Sequence, residues 1–239
     1  MMKCWSTVIR SQNSCINWAL VIMILNIDKP VGWTSFDIVK KIRGITKEKK
    51  VGHAGTLDPF ASGVIIIGIG DDTKKLTGIS NADKAYEAEL ILGKTTNTLD
   101  PEGDIIHSQA IPDLSYEDIK GVIKSFLGQQ LQIPPMFSAK KYQGKRLYKL
   151  ARKNIIVDRN PVPINIKKIE LIHLSNKRIT FSAFCSKGTY IRVLGKDIAE
   201  KLGTVGYLHS LRRTKVGDFD LKRSQTISEF QSTWMSTAH

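Results

Sequence analysis

Cysteine is scarce in this chain. Its 239 residues include only Cys4, Cys15 and Cys185, with no C-x-x-C pair and no Cys/His ligand spacing. That pattern supports neither a disulfide framework nor a zinc site, and it fits a reducing cytoplasm. Long apolar runs are missing as well. Trp18–Leu25 is uninterrupted for eight residues, far short of the roughly 20 that cross a bilayer. Lys3 and Arg10 precede it as in a signal peptide, but no small-residue cleavage site follows. No membrane partner is therefore expected. Gly68-x-Gly70 lacks the third glycine of a dinucleotide fingerprint, and no G-x-x-x-x-G-K-[ST] or G-x-S-x-G occurs. His53, His107, His173, His209 and His239 form no ligand pattern, so neither a metal nor an organic cofactor is expected.

Acidic residues are also in short supply. Lys and Arg total 36 against 22 Asp and Glu, a formal charge of +14. Such an excess attracts polyanions, because each neutralised phosphate releases condensed counterions. Nucleic acid is the leading partner, an anionic membrane surface the second, and a generally basic surface without a partner the plainest alternative. The deficit is local: Ile119–Val157 has no acid but holds Lys120, Lys124, Lys140, Lys141, Lys145, Arg146, Lys149, Arg152 and Lys153. Most follow Pro134-Pro135 in a loop-like stretch interleaved with Phe137, Tyr142 and Tyr148. Cations beside aromatics suit a phosphate backbone and unstacked bases. The competing reading is a solvated basic helix face.

Strands and helices alternate irregularly. Ile24–Asp28 reads as a strand entering a turn. Thr34-x-x-Asp37 and Ser115-x-x-Asp118 are capping boxes ahead of helical apolar faces, Phe36/Val39/Ile42 and Ile119/Val122/Ile123/Phe126. The run Val64–Ile69 is β-branched and apolar throughout, apart from Gly68, which predicts a strand buried on both faces. Tyr86–Leu92, Ile164–Leu174, Arg178–Cys185 and Tyr207–Val216 read as further strands. Leu194, Ile198 and Leu202 line a third helix that Gly203 is placed to end. Without strict βαβ alternation, an α/β (α+β) fold with a mixed, largely antiparallel sheet and flanking helices is expected.

Three places hold candidate chemistry. Asp58 ends a Gly-rich loop, Gly52-His53-Ala54-Gly55-Thr56-Leu57-Asp58-Pro59, where a carboxylate can serve as nucleophile, general base or ligand. An Asp before Pro also serves simply as a turn residue. His53 in the same loop reads more readily as a surface hydrogen-bonding residue than as a catalyst. Arg192, closing Lys187-Gly188-Thr189-Tyr190-Ile191-Arg192, can pair with a buried carboxylate or form an interhelical salt bridge.

Taken together, four segments resemble the TruB-type tRNA pseudouridine synthases. These are Leu25–Ser35 (LNIDKPVGWTS), Lys50–Gly63 (KVGHAGTLDPFASG), Pro134–Tyr148 (PPMFSAKKYQGKRLY) and Cys185–Arg192 (CSKGTYIR), in the family's order over roughly residues 23–230. The resemblance implies a pseudouridine synthase fold with an RNA-gripping insertion at about 128–153. It also implies isomerisation of uridine-55 in the tRNA T loop without cofactor or metal. Asp58 would attack C1′ of the ribose, or remove the 2′ proton to give a glycal. Arg192 would pair with it, and Tyr86 would stack on the extruded base. His53, Tyr190 and Leu211 would line the uridine pocket, while Lys140, Lys141, Lys145, Arg146, Lys149 and Arg152 would hold the RNA backbone.

The expected partner is the tRNA T arm, met by a monomer without a protein partner. Two rivals share parts of this pattern: a tRNA-folding chaperone without chemistry, and the guide-RNA-dependent relative working inside a ribonucleoprotein. Residues 1–22 are expected to be an extension outside the fold. Residues 231–239 are expected to be a short tail, with the PUA-type domain usual in bacterial members absent.

Overall fold

The computed structural model describes residues 23–237; the apolar run up to Ile22, Cys4, Cys15 and the expected extension lie outside them. Strand β1 (Met23–Lys29) leads into helix α1 (Ser35–Thr46), followed by β2 (Val51–Ala54) and β3 (Ser62–Ile69). A 3-10 turn at Gly70–Lys75 precedes α2 (Leu76–Ser80), β4 (Lys84–Leu92), β5 (Lys94–Thr96) and β6 (Ile105–Ser108). Next come α3 (Tyr116–Lys124), β7 (Gly128–Gln132), the hairpin β8 (Lys141–Tyr142) and β9 (Lys145–Arg146), and α4 (Leu147–Ala151). The chain finishes with β10 (Val162–Ser175), β11 (Arg178–Cys185), α5 (Ile191–Lys201), β12 (Gly206–Val216), β13 (Phe219–Asp220) and α6 (Ile227–Thr237).

Nine strands form one sheet whose main order is β1-β3-β12-β4-β11-β10-β7, with β2 on β3 and β13 on β12. Pairing is antiparallel except between β3 and β12, which run parallel with Gly63 beside Arg213. The expected mixed, largely antiparallel sheet with flanking helices is the fold observed. Every residue of β3 is buried, because β1 covers one edge while β12 and then β2 cover the other. Alternation sends Ile65, Ile67 and Ile69 toward α1 and Phe230 of α6, and Val64 and Ile66 toward Leu76 and Val216. Each fully buried isoleucine contributes about 1.5–3 kcal/mol relative to exposure.

Both predicted capping boxes close. Thr34 Oγ1 accepts from Asp37 N at 3.1 Å while Thr34 N donates to Asp37 Oδ2 at 2.9 Å, and Ser115 with Asp118 repeats the pattern. Gly203, at φ +79°, follows α5 as expected. Two boundaries and one local structure differ from the sequence reading. β7 pairs with β10 in the main sheet, so the projecting segment starts after Gln132 rather than at 128. Instead of a bare loop, that segment folds into the β8–β9 hairpin and α4. The stretch expected as a tail from residue 231 continues helix α6, whose Phe230 and Trp234 pack on the cluster beneath α1.

Candidate active site

The loop between β2 and β3 is held from two sides by helix N-termini. Ser35, the first residue of α1 and 3% exposed, accepts from Leu57 N at 2.8 Å and donates to Leu57 O at 3.1 Å. Arg192, in the first turn of α5, donates through Nε to Asp58 Oδ2 at 2.9 Å. Helix N-termini carry partial positive charge, so Asp58 sits where a negative charge is favoured. Its side chain is 37% exposed, whereas that of Arg192 is 4% exposed. The carboxylate therefore faces an opening and the guanidinium backs it.

Arg192 is fixed on every side. Nη1 donates to Thr98 O at 2.5 Å and lies 3.2 Å from Asp100 Oδ2, and Nη2 donates to Phe137 O at 2.7 Å. Five fixed donors in a plane allow this arrangement, and lysine offers no equivalent. Asp100 is itself held by Thr98 Oγ1 and by Glu102 N. Burial pushes its carboxyl above the usual range against the pull of those bonds and of Arg192. The link to Phe137 ties the root of the basic projecting segment to the arginine.

Arg213 forms the floor on the other side of the loop. Only 1% exposed, it donates to Val64 O at 2.8 Å and to Gly55 O at 2.9 Å. Its room comes from glycines. Gly55 takes φ +72°, and Gly63, at φ +103°, lies so close that a Cβ there would overlap Arg213 O and stand 2.8 Å from its nitrogen. Lys29, fully buried, donates to Trp33 O at 2.6 Å, Pro30 O at 2.9 Å and Pro59 O at 3.4 Å, binding the opening turn to the residue after Asp58. Its ammonium is lowered to about 8, chiefly by burial, with Asp58 pulling the other way.

The predicted pocket residues converge here. Tyr86, 8% exposed, pairs across strands with Arg213 and shares a cluster with Leu57, Phe60, Ala61 and Leu211. Burial raises its phenol, to which Asp58 adds. Tyr190 precedes α5, pinned by Gln132, which donates to its carbonyl at 3.1 Å and accepts from its N–H at 2.8 Å. Its phenol is raised by burial first and by Asp58 as well. His53 on β2 is half-buried, and burial, then Arg213 and Arg146, lower it below its ordinary value. Its Nδ1 is buried without a hydrogen-bond partner among the described residues.

Lys141, Lys145, Arg146, Lys149 and Arg152 are exposed on the hairpin and α4, and Lys140 is half-buried. The Arg152 guanidinium lies 5.7 Å from the Tyr148 ring centroid. Among the described residues no group of three or more His, Cys, Asp or Glu is placed to hold a metal ion, and no helix is long and apolar enough to cross a membrane.

Sequence reasoning missed Asp100, Arg213 and Lys29. Asp100 sits in Thr98-Leu99-Asp100, which reads as an ordinary polar turn. A charged residue within a strand reads as solvent-facing, which hid Arg213. Glycines at 55 and 63 were the available signal, since each marks a place where something approaches the backbone closely.

Comparison with known proteins agrees with this geometry. The TruB family pseudouridylate synthase N-terminal domain matches residues 43–191, and the tRNA pseudouridylate synthase B C-terminal domain matches residues 192–239. The chain is 46% identical over 209 residues to tRNA pseudouridine synthase B of Alkaliphilus oremlandii, covering 87% of this chain and 70% of the relative. It is 44% identical to that of Clostridium tetani, covering 86% and 71%. A Cbf5-Nop10-Gar1 complex contains a chain that superposes with a TM-score of 0.72 at 27% identity, over 90% of this chain and 56% of that one. With two family domains end to end and the Asp58–Arg192 pair inside them, the chain belongs to the TruB family of pseudouridylate synthases.

Proposed function

We propose that the protein converts the uridine at position 55 in the T loop of tRNA to pseudouridine, with Asp58 as its essential carboxylate. The observation that carries this reading is the half-open Asp58 carboxylate 2.9 Å from a buried arginine. The names of the relatives supply the class of RNA. A base stacked inside a loop is out of reach, so it must first be extruded at a cost of a few kcal/mol. Stacking on Tyr86 returns about 1–3 kcal/mol, and phosphate contacts from Lys140, Lys141, Lys145, Arg146, Lys149 and Arg152 add to that.

In the first route an Asp58 oxygen bonds to C1′ as the C1′–N1 bond breaks, and the electron pair leaves with uracil. In the second, Asp58 removes the 2′ proton and a glycal forms. Either way the freed uracil turns within its enclosure and C5 bonds to C1′. In the first route the C1′–O bond to Asp58 breaks and its electron pair returns to the carboxylate. In the second the protonated Asp58 gives the proton back to C2′ of the glycal. The C5 proton passes to a base with help from Tyr86, and N1 regains a proton. Holding both fragments together favours recombination over capture by water. Arg192 compensates the Asp58 charge and fixes its direction. His53, Tyr190 and Leu211 border the space in which the uracil turns. The protein acts as a monomer, on tRNA unassisted by a guide RNA or a second protein.

The test is pseudouridine mapping of a purified T-arm hairpin after incubation with wild type and Asp58→Asn. Conversion by wild type alone, with equal hairpin affinity for both proteins, is the expected result. Conversion by the variant would remove Asp58 from the chemistry, and no conversion by wild type would remove the unassisted activity.

A further inference from the structure

A large cavity is lined by neither Asp58 nor any of the residues assigned to the uridine pocket. It measures about 830 Å³ and runs along the outer side of α1 to the end of α6, bordered by Trp33, Asp37, Lys40, Lys41, Lys47 and Met235. Lys40, Lys41 and Lys47 are exposed, and none forms an ion pair with a described carboxylate. Asp37 is the one acid in the lining, and its carboxylate is already engaged by the Thr34 N–H and hydroxyl at 2.9 and 2.6 Å. The groove is therefore cationic, and its size falls within the roughly 300–1,000 Å³ typical of ligand sites.

Two further details separate it from an ordinary solvated helix face. Lys47 occupies the C-terminal cap of α1 at φ 59°, a left-handed conformation. Glycine is the usual residue there, and a side chain costs about 1 kcal/mol. The cost is accepted at a position that holds an ammonium over the groove, beside the negative end of the helix. Trp33 is half-buried and packed against the Leu25/Ile27/Ile38 cluster, so its ring is held in place at the groove wall. Fixed aromatic plus flexible cations is the composition that takes a base and its phosphates.

Position supplies the link to the active site. Gly32, which shares the Trp33 turn, donates to Pro59 O at 2.8 Å, directly after Asp58. One end of the groove thus abuts the catalytic loop on the α1 side. The projecting segment with Lys141 and Arg146 is tied to the same loop on the α5 side through Phe137 and Arg192. Resting on the tRNA reading, we propose that this groove is a second RNA site, taking a strand of the substrate outside the target hairpin. Lys40, Lys41 and Lys47 would hold its phosphates and Trp33 one unpaired base.

The test compares full-length tRNA with an isolated T-arm hairpin, using wild type and the triple variant Lys40→Gln/Lys41→Gln/Lys47→Gln, with affinity measured from 50 to 300 mM salt. Freeing three phosphates should make the log–log salt slope for full-length tRNA shallower by about 2 and weaken binding about 100-fold at 0.1 M salt. The hairpin should bind both proteins with one slope. Gly44→Glu gives an independent perturbation, since it places a carboxylate in the groove at a position with nothing within 4 Å of a new Cβ. It should also weaken full-length tRNA alone. If both variants bind full-length tRNA like wild type, the second site is refuted while the primary reading stands. If wild type binds neither RNA, the primary reading itself fails.

Discussion

Replacing Arg192 with methionine should damage stability and chemistry for separate reasons, and a second substitution should pull them apart. Asp58 is more than a third exposed, so water compensates most of its lost partner and that loss costs under about 1 kcal/mol. Asp100 has no such relief. Its side chain is 5% exposed and already raised by burial. Stripping the partner from a buried charge costs about 3–5 kcal/mol, or about 10 °C in Tm for a chain of this size. The pH dependence follows from the direction of the shift. A carboxyl raised above its unfolded value binds more protons folded than unfolded. Its penalty is therefore greatest at neutral pH and disappears as pH falls through the folded value. Without Arg192 that value rises further. The Arg192→Met deficit in urea unfolding should thus be smaller at pH 5 than at pH 8. Adding Asp100→Asn should restore about 2 kcal/mol at pH 8 without restoring pseudouridine formation, because Asp58 still lacks its guanidinium. A double variant no more stable than the single one, or a deficit independent of pH, would refute the assignment of the cost to Asp100.

Other perturbations test neighbouring parts. Gly63→Ala, at positive φ and against the Arg213 backbone, should destabilise by more than about 4 kcal/mol, measurable as a lower urea midpoint; a shift under about 1 kcal/mol would contradict the close approach. Ser35→Ala strands a buried Leu57 N–H, which costs about 1–3 kcal/mol, and should slow turnover at unchanged tRNA affinity by loosening the residue before Asp58. Lys84, 6% exposed, is lowered to about 8 mainly by burial. Folded, it binds fewer protons than the unfolded chain between pH 8 and 10.5, so its contribution to stability should grow across that window and vanish from the wild-type pH profile in Lys84→Met. Lys141→Gln/Lys145→Gln/Arg146→Gln should make the salt dependence of hairpin binding shallower by about 0.7 for each phosphate set free; an unchanged slope would take the hairpin β8–β9 off the RNA.

Legibility followed how local the cause was. Thr34-x-x-Asp37 and Ser115-x-x-Asp118 announce helix starts because cap and partner lie three residues apart, and both boxes close. The β-branched run of β3 announces a central strand by composition alone. Asp58 was singled out by its loop, yet its spacing alone favoured a turn residue; the family resemblance, not the spacing, joined it to Arg192. Asp100, Arg213 and Lys29 escaped because what makes them special is distant. Arg213 donates to Gly55 O, 158 residues away. Lys29 finds two of its carbonyls nearby, at Pro30 and Trp33, but the Pro59 carbonyl that links it to the Asp58 loop lies thirty residues on, outside any short window of sequence.

The brace on the Asp58 loop also dictates when the site can exist. Its supports are Ser35, Arg192 and Arg213, so the last of them is synthesised about 155 residues after Asp58. Until α5 and β12 dock, the acid has neither a counter-charge nor a fixed direction. A nascent chain or an amino-terminal fragment would thus be chemically silent toward RNA, and activity would arrive in one step at the close of folding.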